Sequence, residues 1–84
     1  MAILIAFSDV EKMLKKCAQG HEIVQTTHGR AIKYNGRHFR GFPKYDEVYA
    51  QYVKKLVLQL QINEDCAANY VGEAFPAKKK QAPS

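Results

Sequence analysis

Asn35-Gly36 stands between two short runs of extended-chain character, residues 30–34 and 37–42, and constrains the fold more than any other feature of this chain. The pair favours a two-residue type I′ turn, because both central positions require positive φ, which Asn tolerates and Gly adopts freely. Such a turn sets the register: Tyr34 faces Arg37, Lys33 faces His38, Ile32 faces Phe39 and Ala31 faces Arg40. Successive pairs point to alternate sides of the ribbon. Ile32, Tyr34 and Phe39 then form an apolar side, whereas Lys33, His38 and Arg40, with Ala31 between them, form a cationic one. Arg37 lies beside the turn.

A third strand is expected over residues 21–27, which are rich in β-branched side chains and lack a helical stripe. With His28-Gly29 as a two-residue connection, Thr27 faces Arg30, Gln25 faces Ile32 and Ile23 faces Tyr34. Ile23 thereby joins the apolar side. Three antiparallel strands follow, one face buried and the other wet.

Helices are expected on both flanks. Ser8-Asp9-Val10-Glu11 has the form of a capping box, and Val10, Met13, Leu14 and Cys17 recur at i, i+3, i+4 and i+7 as one apolar stripe, with Gly20 as terminator. Beyond Phe42-Pro43, which ends the sheet, Asp46 is placed to cap a second helix. Its stripe is Tyr49, Tyr52, Val53, Leu56, Val57 and Leu60, leaving Val48 and Leu58 as apolar surface off the stripe. Asn63-Glu64-Asp65 reads as a third cap, opening a short helix over about 64–71 that Gly72 ends. The fold class is α+β, in the order α-β-β-β-α, with two main helices on one face of a three-stranded sheet. Residues 1–75 form one domain, and 76–84, dominated by Lys78-Lys79-Lys80, a disordered basic tail.

The two cysteines, Cys17 and Cys66, belong to no Cys-x-x-Cys pair and have no histidine at ligand spacing, so they read as buried free thiols and no metal site is expected. Residues 1–7 are apolar but too few to cross a bilayer and lack the flanks of a signal peptide, so a lead-in or edge strand is expected there. The reading is an intracellular, cytoplasmic protein without a membrane partner.

Charge placement carries the functional argument. Between His28 and Tyr45 lie five Lys/Arg and no acid, while all eight carboxylates lie elsewhere. Arg30, Lys33, Arg37, His38, Arg40 and Lys44 are the candidate contacts to an anionic backbone, RNA above all. By the hairpin register Phe42 shares the cationic side, where its ring could stack on a base. A row of Lys and Arg also keeps exposed strands from aggregating, and that role needs no ligand. For catalysis the candidate is His28, beside Arg30 in a connecting turn, since one histidine suffices to accept a 2′-hydroxyl proton when cations hold the scissile phosphate. His38 is the second option. No phosphate-cradling glycine loop, nucleophile elbow or carboxylate pair is present in the sequence, and no cofactor is expected.

The helix, three-strand, helix order, the basic hairpin Lys33-Tyr34-Asn35-Gly36-Arg37 and its close at Phe42-Pro43 before an amphipathic helix together resemble the HicA family of toxin ribonucleases. The resemblance covers roughly residues 10–62. It implies a compact double-stranded-RNA-binding-like fold, an mRNA interferase activity with a catalytic histidine, and an antitoxin protein as partner. The family carries Gly-Ser-His where its second strand begins; the matching place here reads Thr27-His28-Gly29-Arg30, so that aligning the glycines instead puts Ala31 at the catalytic position. Three functions therefore stay open: RNA binding by the cationic sheet face, HicA-like cleavage with His28 as general base, and a non-enzymatic homodimer joined through Val48, Leu58 and the C-terminal segment.

Overall fold

Asn35 and Gly36 take φ of 57° and 74°, joining β3 (Gly29–Tyr34) to β4 (Arg37–Phe42) in the tight turn the sequence requires. This computed structural model describes residues 3–76; the basic tail expected over 76–84 lies outside the described residues from 77 onward. Lys33 pairs with His38 and Ile32 with Phe39, as the turn dictates.

β2 (Glu22–Thr26) completes an antiparallel sheet of order β2-β3-β4. Its register differs from the expected one, for Ile23 pairs with Ile32, Gln25 with Arg30 and Thr26 with Gly29. The connecting residues are therefore Thr27-His28. Thr26 accounts for the choice: its hydroxyl donates to the Gly29 carbonyl (3.0 Å) and accepts from the His28 amide (3.3 Å), a side-chain turn of the kind Ser and Thr favour. The partner of Ile23 moves from Tyr34 to Ile32, an even shift, so Ile23 keeps to the apolar side.

A second departure lies in β4. Arg30 pairs with Phe42 and Ile32 with Phe39, so Arg40 and Gly41 together oppose Ala31. This is a β-bulge, and Gly41 supplies its positive φ of 77°. The extra residue reverses the alternation beyond it. Phe42 turns into the core, fully buried, and packs edge-on to Phe39 with ring centroids 5.9 Å apart. The expected base-stacking role of Phe42 is thereby overturned.

The helices begin differently from their caps in sequence. β1 (Leu4–Ala6) runs straight into α1 (Phe7–Cys17), and β5 (Glu47–Tyr49) runs straight into α2 (Ala50–Gln59). The two strands pair antiparallel as a separate ribbon. Each helix takes its first acceptor from the chain preceding the other: Phe7 N–H donates to the Asp46 carbonyl at 2.6 Å and Ala50 N–H to the Ile3 carbonyl at 2.8 Å. Because main-chain carbonyls satisfy these first amides, neither Ser8 nor Asp46 acts as N-cap, and the cap positions Ala6 and Tyr49 make no side-chain bond. Strand alternation also re-sorts residues assigned above to a helix. Val48 is buried and Tyr49 is 46% exposed, the reverse of the expectation for a helix starting at Asp46.

α1 contributes Val10, Met13 and Leu14 to the core, α2 contributes Val53, Leu56 and Val57, and the sheet contributes Ile32, Phe39 and Phe42. The main helices thus cover one sheet face. Asn63 caps α3 (Glu64–Ala68) as expected, its side-chain oxygen accepting from Cys66 N–H at 2.8 Å. A 3-10 turn at Gly72–Ala74 follows. Cys66 is not a free thiol: it is disulfide-bonded to Cys17 across 49 residues, tying α3 to the last residue of α1. Leu58 remains 47% exposed.

Candidate nucleic-acid interface

Antiparallel pairing sets the outer face of the sheet in rows. Glu22, Lys33 and His38 lie side by side across the three strands, and Val24 lies beside Ala31. Arg40, two residues beyond His38, follows on the same side at a separation of about 6–7 Å along the strand. These groups enclose a shallow groove of about 400 Å³ lined by Val24, Thr26, His28, Lys33, His38 and Arg40, floored by Ala31 and Gly41. Its size lies near the low end of ligand sites, roughly 300–1,000 Å³.

Four candidate residues, His28, Lys33, His38 and Arg40, meet in this groove. All four are exposed. His28 arrives from the Thr27-His28 turn, which Thr26 holds in shape. His38 is held through its backbone: β4 lies at the edge of the sheet, and Gln59 of α2 donates to the His38 carbonyl at 2.8 Å. The helix thereby fixes this strand from behind and leaves the imidazole on the open side.

Arg37 and Lys44 are exposed but do not line the groove. Arg37 pairs with Tyr34 at the hairpin end. Arg30 lies elsewhere. It is 8% exposed, on the core side of β3, with its guanidinium carbon 3.6 Å from the centroid of the Phe7 ring. Its Nη1 donates to the carbonyls of Pro43 (2.7 Å) and Tyr45 (3.2 Å). A cation so engaged holds the link between β4 and α2 and does not line the groove. Strict alternation along β3 places Arg30 with Ile32 and Tyr34, and that was the signal for its burial.

Glu22, Val24 and Thr26 are the residues of this face that sequence reasoning missed. The expected register would have set Glu22 opposite Asn35; the observed one sets it opposite Lys33. The face thus carries one carboxylate at its rim. Val24, 42% exposed, joins Ala31 and Gly41 as an apolar floor. Among the described residues no Phe or Tyr lines the groove once Phe42 has turned inward, and its only rings are the imidazoles of His28 and His38. Such a surface suits ionic contact to phosphates more than base stacking.

Among the described residues, no group of three or more His, Cys, Asp and Glu is placed to hold a metal ion, and no helix is long and apolar enough to cross a membrane. Fold and face define an α+β domain with an open, cationic sheet surface. No protein-family model, curated protein sequence or solved structure matches the chain.

Proposed function

We propose that this protein binds RNA through the outer face of its β2-β3-β4 sheet, with Lys33, His38 and Arg40 as phosphate contacts and Arg37 and Lys44 as flanking cations. The single observation behind this reading is the convergence of Lys33, His38, Arg40 and His28 on one groove while the apolar side of the same strands is spent on the core. Backbone contact without an aromatic platform gives weak sequence preference. A filter-binding series with single- and double-stranded RNA across a salt gradient tests it. Log affinity should fall linearly with log salt, by about 0.7–0.9 per phosphate contact. Absence of binding to either RNA even at low salt overturns the reading.

A second reading, HicA-like mRNA cleavage in the cytoplasm, is favoured by one further observation: His28 lines the same groove as the two cations that would hold the scissile phosphate. His28 then accepts the 2′-hydroxyl proton while Lys33 and Arg40 offset the charge developing on the phosphate, and an antitoxin protein would be the natural partner. Growth arrest on expression, relieved by His28→Ala, supports this reading. Harmless overexpression of the wild-type chain counts against it.

A further inference from the structure

Three of the five tyrosines in the chain line a second groove, of about 230 Å³, which shares no residue with the cationic one. The ribbon of β1 and β5 builds it. Ile5 pairs with Val48, both buried, so Leu4 and its partner Tyr49 point outward. Glu47, two residues before Tyr49, shares that outward face. Tyr52 rises from the first turn of α2, its ring centroid 6.4 Å from that of Tyr49 and the planes inclined by 31°. Tyr45 closes the set: its side chain is 75% exposed, yet its carbonyl is held by the buried Arg30, so the backbone that carries the ring is fixed.

The chemistry of this lining is selective. Aromatic faces carry negative potential and attract a cation within about 6 Å of the ring centroid. Glu47 adds a formal negative charge, and among the described residues no Lys or Arg lines this groove. An anion would be repelled by Glu47. The first amide of α2, Ala50 N–H, is already engaged by the Ile3 carbonyl. A purely apolar ligand would gain nothing from the carboxylate. We propose that the groove formed by Tyr45, Tyr49, Tyr52 and Glu47 binds an organic cation of the alkylammonium class, with the tyrosine faces around the alkylated nitrogen and Glu47 as its counter-ion. Leu4 and Pro43 supply apolar contact to the alkyl groups. This site stands apart from RNA binding and does not depend on it.

The test is an NMR titration of the full chain with choline and, in parallel, with 3,3-dimethyl-1-butanol, which has the same shape without the charge. Choline should shift the ring signals of Tyr45, Tyr49 and Tyr52 and the Glu47 amide saturably, about tenfold more tightly than the neutral analogue, since the difference is the cation–π and ionic contribution. Glu47→Gln and Tyr45→Ala, both at exposed positions, should each weaken choline several-fold without altering the dispersion of the spectrum. Nα-acetyl-trimethyllysine amide identifies the source: tighter binding than choline assigns the cation to a protein side chain, and weaker binding assigns it to a free small molecule. Equal affinity for the neutral analogue, the lack of any saturable shift, or indifference to both substitutions overturns the proposal.

Discussion

Arg30 lies with its guanidinium stacked 3.6 Å over the ring of Phe7, and the same side chain ties the carbonyls of Pro43 and Tyr45 to the sheet. One residue thus joins the first residue of α1, the strand β3 and the segment leading to β5. Arg30→Lys keeps the charge but loses the planar fork and leaves one of the two part-buried carbonyls short of a donor, which costs about 1–3 kcal/mol. Urea denaturation should report that loss. RNA affinity of the folded variant should stay unchanged, because Arg30 faces away from the groove; a drop in affinity at unchanged stability would return Arg30 to the binding face.

The Cys17–Cys66 disulfide closes a loop of 49 residues, and restricting the unfolded chain in this way stabilises by about 2–4 kcal/mol. In a chain of 84 residues a loss of that size lowers Tm by at least about 10 °C. Melting followed by circular dichroism with and without dithiothreitol checks this, and the Cys17→Ala, Cys66→Ala double variant should melt like the reduced protein. Identical melting of oxidised and reduced protein contradicts it.

Phe42 fills the space between Phe7 and Phe39, with ring centroids 6.0 Å and 5.9 Å away. Phe42→Ala should cost about 3–5 kcal/mol, as for large-to-small changes in a packed core. A base-stacking role would give the opposite pattern, with stability intact and RNA affinity reduced. Calorimetry and filter binding on the same variant distinguish the two.

Lys33 pairs with His38 across the strands and Arg40 follows His38 along β4, both lining the groove on the open face. Lys33→Ala and Arg40→Ala should each reduce the slope of log affinity against log salt by about 0.7–0.9 and leave stability within about 0.5 kcal/mol. Arg37→Ala and Lys44→Ala, outside the groove, should alter the slope less. Equal effects from all four would mean that net charge, and not this face, governs association.

The features legible in the sequence were those set by local chemistry. Asn35-Gly36 fixed its own turn and therefore the pairing of Lys33 with His38; Asn63 announced the start of α3; and the apolar spacing of Val10, Met13 and Leu14 marked the buried side of α1. What escaped was decided by partners distant in the chain. The bulge at Gly41 reverses the side of Phe42, and a lone glycine does not announce whether it ends a strand or kinks it. The β1–β5 ribbon joins residues more than forty apart, so the helix starts it creates outrank the caps that Ser8 and Asp46 offer. Thr27-His28 and His28-Gly29 are equally short connections, and the Thr26 hydroxyl decides between them. Cys17 and Cys66 meet only because α1 and α3 come together, which no local spacing reveals.

RNA binding by the outer sheet face is decided by an amide NMR titration of the full chain with a short RNA at low salt. Shifts should concentrate on Val24, Thr26, His28, Ala31, Lys33, His38 and Arg40, with the core-facing residues of the same strands unmoved. Shifts confined to the Tyr45–Tyr52 region, or a spectrum that RNA leaves unchanged, would contradict it.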